Sequence, residues 1–228
     1  MEYRRLPLKG LINARELGGF YGEGGRITKY RCFVRSEVPY GLPPEDMEFL
    51  KSYGVTLSVD FRGSHETERM PSDLCGQEWI AYKNIPTYNK QVAQGAGVKN
   101  DKPFENWWSL YIKMCDGGRD WVSAVFREFL GAEGCVIYNC TTGKDRTGII
   151  SALLLGLCGV AEEDIIADYA VSEVYMRRKY LELFSKMPPL KDGYVENAHE
   201  DVDSPFYKTA PENMRILLSL IHICSRRN

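Results

Sequence analysis

A single-domain α/β fold on a parallel-rich sheet is predicted by three features of the chain. Short apolar strands alternate with helical patterns along most of its length. One of them, Cys135-Val136-Ile137-Tyr138, is continuously apolar and runs through a glycine-containing turn into the apolar helical stretch Thr147 to Leu157. The length, 228 residues, suits one well-buried core spanning 1–228.

The elements follow in order. Residues 10–31 are glycine-rich and read as turns or a hairpin leading into a short strand, Cys32-Phe33-Val34-Arg35. Pro43-Pro44-Glu45-Asp46 opens a helix, with proline and acids in the first turn as the helix dipole favours. Met47, Phe49, Leu50 and Tyr53 give that helix an apolar side, and Gly54 ends it. Val55 to Phe61 reads as a strand, and so does Trp79-Ile80-Ala81-Tyr82. The polar residues 88–103 read as a loop or flap, with 88–111 a candidate lid. Helices are expected over about 104–115, 119–130, 162–186 and 211–223. In sheets of this kind ligands sit at the carboxyl ends of the strands.

Composition narrows the function. The apolar fraction of 44% and charged fraction of 26% are ordinary for a soluble protein, and the net charge of −2 argues against nucleic acid as a partner. The seven cysteines are odd in number, irregularly spaced and contain no CxxC pair, so neither a zinc site nor a thioredoxin-like motif is expected. His65, His199 and His222 are scattered, and no metal or cofactor is expected. No apolar stretch of signal-peptide length follows Met1, and the longest apolar run, Gly148 to Ala161, is shorter than the roughly twenty residues a membrane span needs. Free thiols in apolar runs fit a reducing compartment, so the expected location is the cytoplasm.

The chemistry concentrates between the strand ending at Tyr138 and the helix after it, in Asn139-Cys140-Thr141-Thr142-Gly143-Lys144-Asp145-Arg146-Thr147-Gly148. A turn and the first residues of a helix present unpaired amide hydrogens and partial positive charge, which stabilise a thiolate and make Cys140 a nucleophile. The same amides, from Thr141 through Arg146, form a nest for phosphate oxygens. Arg146, six residues after Cys140, can turn its planar fork toward the sulfur and pair with two phosphate oxygens. Gly143 permits a positive φ, Lys144 adds a second cation, and Thr147 offers a hydroxyl to the departing thiolate. Lys144, Asp145 and Arg146 place two cations where a helix dipole disfavours them by about 0.3–1 kcal/mol each, a conflict that a bound anion removes. A Walker A loop is disfavoured because Asp145 follows Lys144 where Ser or Thr is needed.

Cys140-Thr-Thr-Gly-Lys-Asp-Arg146-Thr-Gly resembles the signature of the CX5R cysteine phosphatases, and its Gly-Lys-Asp-Arg ending is similar to the atypical tyrosine/dual-specificity branch found mostly in bacteria and fungi. Asn13-Ala-Arg-Glu-Leu-Gly-Gly19, Phe33-Val34-Arg35-Ser36, Val59-Asp60-Phe61-Arg62 and Asp168-Tyr169-Ala170-Val171-Ser172 resemble further segments of that branch. The resemblance covers about residues 10–220. It implies a sheet of four to five strands flanked by helices, and metal-independent phosphomonoester hydrolysis through a cysteinyl-phosphate. The implied substrates are phosphoproteins, phosphotyrosine above all, and phosphoinositides, toward which the Lys144 position points. Where the family usually has His before the nucleophile, this chain has Asn139, which can hydrogen-bond but carries no charge. A phosphate-binding module with little turnover is therefore the alternative function.

The general acid is left between two carboxylates. No Trp-Pro-Asp segment is present. Asp145, favoured by the family's pattern, stands equally as an acid or as a loop-stabilising partner of a backbone N–H. Asp60, at a strand tip facing the same crevice, is the second candidate, though a buried ion pair with Arg62 or Arg15 is preferred for it. Arg15, Arg35 and Arg62 are expected to be buried against carboxylates, Asp168 and Ser172 to bond helix to loop, and Trp107, Trp108 and Tyr111 to pack one helix face.

Overall fold

The computed structural model describes residues 4–87, 107–116, 118–185 and 208–225. The lid expected over 88–111 lies largely outside them. Five strands form one sheet: β1 (Arg15–Glu16), β2 (Phe33–Ser36), β3 (Val55–Asp60), β4 (Ala81–Asn84) and β5 (Cys135–Asn139). Their order is β1-β2-β5-β3-β4. Strands β2, β5, β3 and β4 run parallel, and β1 pairs antiparallel with β2 at the edge.

The central position of β5 follows from its composition. All five of its residues are buried. Val136 and Tyr138 face one core, and Cys135 and Ile137 the other. A strand with two apolar faces needs cover on both sides. The larger core is filled by α3 (Trp107–Asp116), α4 (Arg119–Leu130), α5 (Asp145–Leu157), α6 (Glu162–Ser185) and α7 (Pro211–Ser225), through Tyr111, Trp121, Ile149, Tyr169 and Met214 among others. The smaller core joins α1 (Pro44–Tyr53) to the N-terminal residues Leu6, Leu8 and Leu11.

Most elements lie where the sequence places them. Helix α1 ends at Gly54 with φ 93°, its N–H bonding the carbonyls of Leu50 and Lys51. The differences that matter below are two boundaries and one additional helix. The strand expected at 79–82 is Ala81–Asn84, because Ile80 is spent on the smaller core and pairing with β3 begins at Ala81 opposite Leu57. Helix α5 begins at Asp145, two residues earlier than expected, which puts Asp145 and Arg146 in its first turn. A six-residue helix not anticipated, α2 (Ser64–Arg69), follows β3; the Glu66 carboxylate accepts the Gly63 N–H at 3.0 Å and closes its first turn.

Candidate active site

Cys140 is the first residue beyond β5, and Asn139 is in register with Ser36 of β2 on one side and Asp60 of β3 on the other. The loop 140–144 therefore emerges from the middle of the sheet at its carboxyl edge, with α5 leading away. Three successive loop carbonyls are tied to the surroundings. Thr141 O accepts from Val38 N at 3.2 Å, Thr142 O from Asn13 Nδ2 at 3.0 Å, and Gly143 O from Arg35 Nη2 at 2.8 Å. In a trans peptide the N–H points opposite to the C=O. The amides of Thr142, Gly143 and Lys144 are thereby turned to the other side of the loop, the arrangement that makes an anion nest. Gly143 makes the curl possible. Its φ is 68°, and a Cβ there would lie 2.4 Å from the Ser36 carbonyl oxygen.

Arg146 is 8% exposed and held in plane by Glu66. Arg146 Nη1 donates to Glu66 Oε2 and Nη2 to Oε1, both at 2.7 Å, while Nη1 also reaches Phe61 O at 3.3 Å. The Thr141 hydroxyl donates to the same Glu66 Oε1. Burial works against the guanidinium charge, but Glu66 more than restores it and the neighbouring Cys140 sulfur adds to the effect, so Arg146 holds its proton more firmly than a free arginine. For Glu66, burial pushes the carboxyl up, and Arg146, Thr141 and the Gly63 amide outweigh it, bringing it down to about 2.

Glu66 is the site residue that sequence reasoning missed. Its signal was available: an acid in the first turn of a short capped helix, directly after a strand whose tip faces the loop. The hidden part was that Ser64–Arg69 forms a helix at all, since six residues are too few to show a period.

Cys140 is 2% exposed and borders the larger core. Thr147 is fully buried, and its Oγ1 has no hydrogen-bond partner among the described residues. Asn139 Nδ2 donates to Cys140 O at 3.2 Å, and its buried Oδ1 has no hydrogen-bond partner among the described residues. Lys144 is buried with Nζ 3.4 Å from Lys208 O and 3.6 Å from Asp145 Oδ2. Asp145 Oδ1 accepts from the Tyr111 hydroxyl, which lies 2.7 Å from the Tyr169 hydroxyl. Asp145 thus meets a side chain on that oxygen, whereas the sequence weighed a backbone N–H.

Asp60 is fully buried, and both its oxygens are occupied. Arg62 Nε bonds them at 2.9 and 3.0 Å, Arg62 Nη2 reaches Oδ2 at 2.7 Å, and Tyr82 donates to Oδ2 at 2.9 Å. This is the ion pair preferred for it in the sequence, not a carboxylate open to the crevice. Arg15 and Arg35 converge on Asp168 at 2.9 and 2.6 Å, and Arg15 Nη2 donates to Ser172 Oγ at 2.9 Å. Burial raises the Asp168 carboxyl, but the two arginines overcome it and bring it down to about 2. Arg15 falls to about 10, through burial first and then repulsion from Arg35. Tyr111 is fully buried and Trp108 half-buried, while the Trp107 side chain lies outside the described residues.

Among the described residues no His, Cys, Asp or Glu cluster could hold a metal ion, six cysteines are free thiols, and no helix is long and apolar enough to cross a membrane.

The loop thus places a cysteine and an arginine at the two ends of a curl of backbone amides at the carboxyl edge of the sheet. A model of the tyrosine phosphatase family matches residues 6–222, and the chain belongs to that family. A tyrosine-protein phosphatase of Nostoc commune is 30% identical over 146 residues, which are 64% of this chain and 49% of that protein. A Cupriavidus necator protein, named provisionally as a tyrosine-protein phosphatase, is 31% identical over 176 residues, covering 73% of this chain and 62% of its own length. The chain therefore spans about half to three fifths of these curated relatives. Among solved structures, a variant of P. aeruginosa TpbA in complex with pTyr overlaps with a TM-score of 0.39 at 19% identity, over 61% of this chain and 70% of that one.

Proposed function

We propose that this chain is a metal-independent phosphomonoester hydrolase that works through a cysteinyl-phosphate on Cys140, with phosphotyrosine in a protein as its substrate. The observation that carries the reading is the clamped Arg146: Glu66 fixes both terminal nitrogens of a buried guanidinium that the Cys140 sulfur influences electrostatically, at the end of a loop whose Thr141, Thr142 and Gly143 carbonyls are tied away. Family membership and the names of the curated relatives support it.

In the first step the Cys140 thiolate attacks phosphorus, the S–P bond forms, and the P–O bond to the leaving group breaks. Arg146 and the amides of residues 141–146 take up the charge on the equatorial oxygens. Asp145 gives its proton to the leaving oxygen. In the second step water attacks phosphorus, its proton passes to Asp145, and the S–P bond breaks to return the thiolate. Thr147, whose buried hydroxyl is unpaired, has a proton to offer that thiolate. Asp60, saturated by Arg62 and Tyr82, takes no part in proton transfer. Lys144 supplies a second cation, which suits a doubly phosphorylated substrate such as a phosphoinositide.

Hydrolysis of p-nitrophenyl phosphate tests the proposal. Wild type is expected to turn over and Cys140→Ser to be inactive. Phosphate binding with no Cys140-dependent turnover would leave a binding module and overturn the enzyme reading. A panel of phosphotyrosine peptide, phosphoserine peptide and inositol lipid then sorts the substrates.

A further inference from the structure

A relay of polar side chains from three helices ends on Asp145. The Tyr111 hydroxyl on α3 donates to Asp145 Oδ1. The Tyr169 hydroxyl on α6 lies 2.7 Å from that of Tyr111. The Asn213 side chain on α7 hydrogen-bonds Tyr169. Each hydroxyl has one proton to give. Burial, then the charge of Asp145 and the neighbouring Tyr169, keep the Tyr111 phenol protonated far beyond its ordinary range. A neutral phenol beside a carboxylate donates to it. Tyr111 has then spent its proton, so it accepts from Tyr169, and Tyr169 accepts from Asn213. The direction is the same throughout, Asn213 to Tyr169 to Tyr111 to Asp145.

We infer that Tyr111, backed by Tyr169 and Asn213, is a positioning residue for proton transfer: it fixes Asp145 Oδ1 and leaves Oδ2 to exchange the proton with the leaving group and then with water. This rests on the phosphatase reading above. Buried phenols that merely satisfy one another would have no reason to end on the catalytic loop. Here the chain ends on the one carboxylate inside it. Oδ2 is not the oxygen that Tyr111 holds; it lies 3.6 Å from Lys144 Nζ, and the Asp145 side chain is 20% exposed. The Tyr111 and Tyr169 rings pack edge to face, with centroids 6.1 Å apart at 85°, so the two hydroxyls are held by ring packing as well as by each other.

The test compares leaving groups in kcat/KM, which reports steps up to the first phosphoryl transfer. Phenolate from a phosphotyrosine peptide needs a proton as it departs; p-nitrophenolate does not. Tyr111→Phe keeps the ring and removes only the hydroxyl. It is expected to lower kcat/KM for the phosphotyrosine peptide by about tenfold or more and that for p-nitrophenyl phosphate by less than about threefold. Asp145→Asn is expected to show the same selectivity, and Tyr111→Phe added to Asp145→Asn to cost nothing further. Tyr169→Phe, in which Tyr111 keeps its own proton, is expected to show a smaller loss in the same direction, and serves if Tyr111→Phe fails to fold by circular dichroism. Equal losses on both substrates, or losses that multiply in the double variant, would overturn the positioning role while leaving the phosphatase reading intact. A wild type without Cys140-dependent turnover on either substrate would overturn that reading, and this one with it.

Discussion

Glu66 decides whether Arg146 can work. A buried guanidinium on a flexible stem has many rotamers, and two parallel bonds of 2.7 Å select one of them. Glu66→Gln keeps the shape and removes the charge, so one of the two bonds must fail. The expected result is a fall in kcat/KM for p-nitrophenyl phosphate of roughly ten- to a hundredfold, because a fork misplaced by about 1 Å loses its match to the phosphoryl oxygens. Stability is expected to fall by up to about 3 kcal/mol in chemical denaturation, as one partner of a largely buried pair is lost. Steady-state kinetics unchanged from wild type would contradict the clamp. At this scale the sequence was legible where chemistry depends on close neighbours in the chain. Cys140, Gly143, Lys144, Asp145 and Arg146 lie in one short stretch, so their spacing marks them as candidates together. Glu66 and Tyr111 were hidden because each reaches that loop across a long separation, which no local pattern encodes.

At the scale of elements, apolar pattern was a reliable guide wherever burial was complete. Strand β5 is buried at every position, and its limits were readable to one residue. Strand β4 is an edge strand with three of its four residues exposed and the fourth half-buried, so its pattern is weak; the apolar pair Trp79-Ile80 drew the expectation two residues early. The start of α5 was misplaced for a related reason. Lys144, Asp145 and Arg146 look like a polar turn, yet Asp145 is the acid of the first helical turn and Arg146 points back to Glu66. The proposed anion site depends on that overlap of turn and helix start: the helix begins inside the loop, so its first amides and the nest would form one surface.

For the molecule as a whole, buried ion pairs join parts distant in sequence. Asp168 on α6 holds Arg15 of β1 and Arg35 of β2, and Arg35 in turn holds the Gly143 carbonyl, so the sheet edge, a helix and the 140–144 loop share one network. The segments around Asn13, Arg35, Asp60 and Asp168, singled out in the sequence by resemblance, are this network and its counterpart at Arg62. Acid should dissolve it. Asp168 sits at about 2 in the fold against 3.8 ordinarily, and Glu66 at about 2 against 4.5. As the pH falls below about 5 the unfolded chain takes up protons that the folded chain refuses, so stability present at neutral pH is progressively lost toward pH 2. The urea midpoint is expected to drop steeply across that window, and Asp168→Asn to lower it already at neutral pH and to flatten the acid limb. A wild-type midpoint that is level from neutral pH to about pH 3 would contradict this account of the network.

The central claim is a covalent bond between sulfur and phosphorus, and it can be observed. Enzyme mixed rapidly with p-nitrophenyl phosphate, quenched in acid and digested should yield a phosphorylated peptide whose adduct maps to Cys140, absent from Cys140→Ser. Turnover without that adduct, or with the phosphoryl group on another residue, would contradict the account.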